Sequence, residues 1–226
     1  MFKISNLDKK PALIIGIILS IVLPFLAIYF SVLIKKLGID NETQFYISRF
    51  AIWISLLLLY LFSLKIEKQP FLLWGETKYS FLTFVKALAT TFLKLFIAVY
   101  FISLLIMFFK ITGESVVLNK ALDLFKKSYL LLFFTCVTAG ITEELIFRGY
   151  LLPRLELILK NKKLSILVSS ILFGFLHFGY GTLLHVIGPI VIGLVFAIQY
   201  NKYRNIKILI MCHILWDLLL LMAKTR

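Results

Sequence analysis

Histidine is almost missing from this chain: three occur among 226 residues, and none precedes His177. Cysteine is rarer still. Cys136 and Cys212 both sit inside apolar runs, which excludes a disulfide framework and leaves them as small core residues. No Ser- or Gly-rich linker divides the sequence and no repeat period is visible, so a single domain over residues 1–226 is expected. Charge is scarce too, at 16% of residues, with 11 Asp and Glu against 25 Lys and Arg. What is abundant is apolar: 61% of the chain, including 22 Phe. A soluble domain uses apolar residues for about half its length, and a mean hydropathy of +0.98 lies outside that class. The chain reads as a polytopic membrane protein.

Apolar runs at 12–34, 46–64, 87–109, 128–149, 164–180, 183–200 and 206–223 approach the roughly 20 residues that a bilayer requires of a helix. The first follows Lys9 and Lys10, exceeds the length of a signal-peptide core and has no small-residue cleavage site after it, so it is expected to remain as a transmembrane helix. The expected fold is an all-α bundle of about seven membrane helices with one or more interfacial amphipathic helices. Between Lys110 and Lys127 such a helix is predicted, because Val117, Leu118, Ala121, Leu122, Leu124 and Phe125 recur at helical spacing against Glu114, Asn119, Lys120, Asp123 and Lys126. Pro70, Trp74 and Gly75 read as an interfacial turn, and Lys94 as a snorkelling side chain.

The basic residues cluster between the apolar runs, as in loops facing an anionic leaflet; nucleic acid is excluded as a partner and membrane lipid implied. With a cytoplasmic N-terminus, the inside segments carry Lys3, Lys9, Lys10, Lys65, Lys68, Lys78, Lys86, Arg154, Lys160, Lys162, Lys163, Lys202, Arg204 and Lys207. The outside segments carry fewer: Lys35, Lys36, Lys110, Lys120, Lys126, Lys127, Lys224 and Arg226. The bias favours a multi-pass protein of the cell membrane with its N-terminus inside.

Against this background Glu143-Glu144-Leu145-Ile146-Phe147-Arg148 stands out. Each ionisable residue near a membrane helix centre costs about 2.5–3.5 kcal/mol on insertion scales, so three within six residues point to function. Glu144 and Arg148 are i,i+4 and can pair, whereas Glu143 is turned about 100° away and left free. An unpartnered carboxylate in an apolar site is a candidate general base. His177 follows Phe173 by one turn in a later helix, and His213 and Asp217 are again i,i+4, so Asp217 can orient the imidazole. His185, after a glycine-rich turn, is expected to be structural, and Gly174, Gly179, Gly181, Gly188 and Gly193 to allow close helix approach.

No Ser or Cys stands in a nucleophile setting: Cys212 and His213 are neighbours on one helix and diverge by about 100°. A carboxylate with a histidine activating water, and a second imidazole stabilising the oxyanion, is the chemistry that Glu143, His177, His213 and Asp217 fit best. Zinc-assisted hydrolysis is the rival reading, since Glu and His are zinc ligands, but the HExxH spacing is absent; no cofactor is expected. A transporter is disfavoured, there being no inverted repeat.

Glu143-Glu144-x-x-x-Arg148, Phe173-x-x-x-His177 and His213-x-x-x-Asp217, in this order on successive apolar segments, resemble the CAAX protease and bacteriocin-processing (Abi) family of intramembrane endopeptidases. The resemblance covers about 128–223, the expected catalytic core. It implies a helical membrane fold with a cavity open to the cytoplasm, Glu143 with His177 as the water-activating pair, and His213 with Asp217 on the oxyanion side. Glu144, Arg148 and Phe173 organise the site. The eukaryotic relatives that trim prenylated proteins carry Asn where this chain has Asp217, and Asp donates a hydrogen bond only when protonated; orienting His213 is its alternative role. The Lys, Ile and Phe bias is that of a low-GC bacterial sequence, which favours peptide or membrane-protein substrates over prenylated ones. A non-catalytic scaffold or bacteriocin-immunity protein is the alternative of another class.

Overall fold

The computed structural model describes residues 10–111 and 113–225, so the topology-bearing Lys3, Lys9 and Arg226 lie outside the described residues. In chain order come α1 (Lys10–Ile34), α2 (Asn41–Phe62), α3 (Phe81–Phe108), α4 (Val116–Lys127), α5 (Tyr129–Glu144), α6 (Leu152–Leu159), α7 (Lys162–Leu176), α8 (Leu184–Tyr203) and α9 (Ile206–Thr225). The described residues contain no strand. π-helical turns extend α2 over Ser63–Glu67 and join α5 to α6 over Leu145–Leu151.

Short polar residues start these helices by accepting the free N–H groups of the first turn. Asp40 accepts from Glu42 and Thr43, Ser80 from Thr83, Ser115 from Leu118, Ser128 from Leu131 and Asn161 from Leu164. Hydrogen bonds from Thr43 also hold the Asp40 carboxyl below the usual carboxylate range. Several ends are closed by a basic residue in left-handed backbone where glycine is usual: Lys68, Lys160 and Arg204, with φ of 52°, 50° and 49°. There a cation faces the negative end of the helix dipole.

Seven stretches are long and apolar enough to cross a membrane, with mean hydropathy from 1.4 to 2.8: Lys10–Phe30, Asn41–Glu67, Phe81–Phe108, Tyr129–Leu159, Lys162–Tyr180, Leu184–Tyr203 and Ile206–Thr225. They agree in number and order with the sequence reading, and the chain is a multi-pass membrane protein. Helix α4 is the expected amphipathic element; it packs on α5 and α9 and buries Ala121 and Phe125.

Four details depart from expectation. The fourth span does not stop near Gly149, because the π-helical turn carries the helix on to Leu159. Arg154 is therefore no loop charge: it is fully buried, paired to Glu67 through Nε at 2.8 Å, donating to the carbonyls of Phe71 and Pro70, and lying over the Tyr150 ring. Lys94, exposed on α3, adds a contact that the sequence did not show: it donates to Gln199 Oε1 at 3.3 Å, and Gln199 donates to Thr91. Among the glycines, a Cβ at Gly174 would meet Ile190 and, at 2.7 Å, the Val186 carbonyl, and one at Gly193 would lie 3.2 Å from Ser170 Cα; these two let α7 and α8 close together. Gly179, Gly181 and Gly188 face open space, and Gly181 instead supplies a turn at φ +80°.

Candidate functional site

Three helices bring the motif residues to one place. Gly140 on α5 admits Ile214 of α9, whose nitrogen would lie 3.1 Å from an added Cβ, and this close approach sets Glu143 and Glu144 beside His213. Glu144 is wholly buried and its Oε1 accepts from two donors, Arg148 Nη1 at 2.7 Å and His213 Nδ1 at 2.8 Å. The guanidinium of Arg148 lies 4.3 Å from the centre of the Phe173 ring, so Phe173 on α7 supports the pair from below. Both partners keep one buried atom, Glu144 Oε2 and Arg148 Nη2, without a hydrogen-bond partner among the described residues.

The shared oxygen determines the tautomer of His213. A carboxylate already bound by a guanidinium can only accept, so Nδ1 carries the proton it donates. Nε2 then points the other way, 3.6 Å from Asp217 Oδ2 and 3.9 Å from Glu143 Oε2. Asp217 thus lies near His213, as the i,i+4 spacing required, but the residue that hydrogen-bonds the ring is Glu144. Glu143 and Asp217 retain about a quarter of their side-chain surface, at 24% and 26%, against 0% for Glu144.

His177 follows the last turn of α7, and its Nδ1 lies 2.9 Å from the Phe173 carbonyl. A carbonyl only accepts, so the proton is again on Nδ1 and the Nε2 lone pair is free. Its ring packs on Phe173 at 5.0 Å, and Phe173 also touches the His213 ring at 6.4 Å. Among the described residues no ion pair joins His177 to Glu143 or to another carboxylate.

Tyr180 was not anticipated from sequence. It stacks between His177, at 6.1 Å, and His185, at 5.2 Å, and its carbonyl accepts from Ser115 Oγ beside α4. His185 is hydrogen-bonded to Thr182 and lines a polar cavity of about 340 Å³ with Glu114, Asn119 and Lys224. This end of the site therefore belongs to the α4 end of the bundle. Arg49 on α2 was missed as well, although the cost of a cation in an apolar run would have flagged it. Its guanidinium lies 4.8 Å from the centre of the Phe45 ring, one turn earlier on α2.

Donors for a divalent ion would have to come from Glu143, His213 and Asp217; among the described residues no three His, Cys, Asp or Glu side chains have a metal-holding arrangement. Cys136 and Cys212 are free and fully buried. The arrangement offers a partly exposed carboxylate, an imidazole of defined tautomer and a second imidazole with a free lone pair.

Comparison with curated proteins and with solved structures returned no match. The model of the family described as type II CAAX prenyl endopeptidase Rce1-like matches residues 125–219, a stretch that contains every motif residue from Glu143 to Asp217. Over that stretch, the one that builds the site, the chain is similar to the CAAX protease family.

Proposed function

We propose that the protein is an intramembrane endopeptidase that hydrolyses a peptide bond in a membrane-associated peptide or protein, using water activated by Glu143 and His177. The observation that carries this reading is the position of His213: held through Nδ1 by a buried carboxylate, it turns Nε2 toward the partly exposed Glu143 and Asp217. The family match supports proteolysis in general terms.

In this mechanism Glu143, assisted by the free nitrogen of His177, takes a proton from water as the oxygen attacks the carbonyl carbon. Such a base contributes about 10²–10⁴-fold. The carbonyl oxygen becomes an oxyanion, stabilised from the His213 side; removing a donor of this kind costs about 3–4 kcal/mol. Breakage of the C–N bond follows, and the proton held by Glu143 passes to the leaving amine. Glu144 and Arg148 are positioning residues in this scheme: they touch His213 and Phe173, and leave the substrate to others. Asp217 faces the same Nε2 atom at 3.6 Å and orients the ring, and Nε2 donates to the oxyanion when it carries a proton.

Short peptides and membrane-tethered segments of a bacterial envelope are the substrate class that fits a site sunk in a helical bundle. The test compares secreted and membrane-associated peptides of cells carrying the intact protein with those carrying Glu143→Ala. A cleavage product present only with the intact protein is expected. Full rescue of a deletion phenotype by Glu143→Ala would instead favour the scaffold or immunity reading.

A further inference from the structure

The polar cavity at the α4 end of the bundle takes no part in the chemistry above. It holds about 340 Å³, within the roughly 300–1,000 Å³ of small-ligand sites, and is lined by Glu114, Asn119, His185 and Lys224 with Leu118 and Leu184 beside them. The elements that build it all end or begin there: α3 has finished at Phe108, α9 finishes at Thr225, and α4 and α8 start at Val116 and Leu184. Since α3, α8 and α9 are candidate spans and α4 is the amphipathic helix, the cavity opens at the membrane interface.

Its charges are of both signs. Lys224 and Glu114 share the lining, yet among the described residues no ion pair joins them. An ammonium and a carboxylate held apart on the wall of one cavity fit a ligand that itself carries both signs, whereas a simple anion would be drawn to Lys224 and repelled by Glu114. His185 is anchored: its Nδ1 lies 2.6 Å from Thr182 Oγ1 and its ring stacks on Tyr180 at 5.2 Å, so Nε2 is the nitrogen left to meet an occupant. The surroundings are apolar. Val116, Val117 and Leu183, chain neighbours of the lining residues, are large side chains left exposed, as suits the acyl chains of a lipid and not a water-soluble zwitterion. Tyr180 stacks in turn on His177 at 6.1 Å, so one aromatic ring separates the cavity's histidine from the candidate site.

We infer that this cavity binds a membrane phospholipid whose headgroup carries both a phosphate and a primary ammonium, with Lys224 and Asn119 donating to the phosphate and Glu114 accepting from the ammonium. Phosphatidylethanolamine has this chemistry. The inference stands apart from the endopeptidase reading, because Glu114, Asn119 and Lys224 have no role in that mechanism.

The experiment uses the full-length protein, stripped of lipid in detergent and mixed with equal amounts of phosphatidylethanolamine, phosphatidylglycerol and phosphatidylcholine of identical acyl chains. Native mass spectrometry reads which lipid is retained. The ethanolamine lipid should be retained about tenfold over each of the other two. Glu114→Gln should remove its advantage over phosphatidylglycerol, since the ammonium loses its acceptor, and Lys224→Gln should lower retention of the ethanolamine lipid to that of phosphatidylcholine. Lys120→Gln, an exposed position on α4 outside the cavity lining, should leave the ratios unchanged. Glu114 and Lys224 are both exposed, so both variants should unfold at the parent temperature; should one fail to fold, the other decides. Equal retention of the three lipids, preference for phosphatidylglycerol, retention of none, or a preference for the ethanolamine lipid that survives both substitutions would each overturn the inference.

Discussion

The Oε1 atom of Glu144 lies 2.8 Å from His213 Nδ1, across the contact between α5 and α9, and the same oxygen binds Arg148 at 2.7 Å. One carboxylate thus neutralises a buried cation and selects the tautomer of a site histidine. The two adjacent glutamates are accordingly assigned different work, Glu144 to architecture and Glu143 to chemistry.

Glu144→Gln or Arg148→Ala should therefore reduce stability as well as activity, since removing one partner of a buried ion pair leaves the other uncompensated at a cost of about 3–5 kcal/mol. Glu143→Gln should unfold near the parent temperature while losing activity, because its side chain is partly exposed and, among the described residues, its one ion-pair contact is at 3.9 Å. Thermal unfolding of the purified proteins in detergent measures both. Equal loss of stability in the two glutamine variants would mean that the roles are reversed.

The Glu67–Arg154 pair makes a separate test, because it lies toward the other end of the bundle. Arg154 makes hydrogen bonds to Glu67, Ser63 and the carbonyls of Pro70, Phe71 and Tyr150, so it ties the 68–80 segment to α6. Arg154→Ala should cost about 3–5 kcal/mol, and Arg154→Lys should recover little of it, since an ammonium cannot repeat the fork. Unfolding temperature is again the readout. A stable Arg154→Ala protein would show that the network is dispensable.

How much of this was readable in the sequence follows from what is local. The seven spans were legible because bilayer thickness imposes its length on each apolar run, and the Glu144–Arg148 pair because helical spacing alone brings i and i+4 together. The depth of Arg154 was not legible: it depends on a π-helical turn at Leu145–Leu151 that no periodicity announces. Nor was the partner of His213. Asp217, four residues away, was the local choice, whereas Glu144 is 69 positions distant and reaches His213 only because Gly140 admits Ile214. Arg49 lay within reach of the same cost argument that singled out Glu143, but a lone cation carries no motif.

Metal dependence separates glutamate chemistry from its zinc rival. The imidazoles of His177 and His213 belong to different helices, and each spends Nδ1 on a protein acceptor. A catalytic zinc would polarise the carbonyl and lower the pKa of its bound water, so such an enzyme dies on chelation. Activity on a cognate peptide is expected to survive strong chelators and to need no added divalent ion. About one zinc per chain by elemental analysis, with chelated enzyme revived by zinc, would replace the mechanism while keeping the protease.

Orientation in the membrane is the remaining prediction, and here two sequence expectations pull apart. With Arg154 removed from the count of loop charges, Lys65, Lys68, Lys78, Lys160, Lys162, Lys163, Lys202, Arg204 and Lys207 still gather at the end of the bundle where α1 begins. The charge rule therefore sets that end in the cytoplasm. Three spans separate it from α4, so α4 belongs to the opposite end, and His177 and Tyr180 are at the α4 end through the bond from Ser115. The family resemblance implied a cavity open to the cytoplasm, which would require the reverse. Both native cysteines are buried, so single reporter cysteines can decide. An impermeant maleimide on intact cells should label Lys120→Cys on α4 and spare Lys162→Cys. The inverse pattern would place the N-terminus outside and open the site to the cytoplasm, with the basic loops then standing against the charge rule.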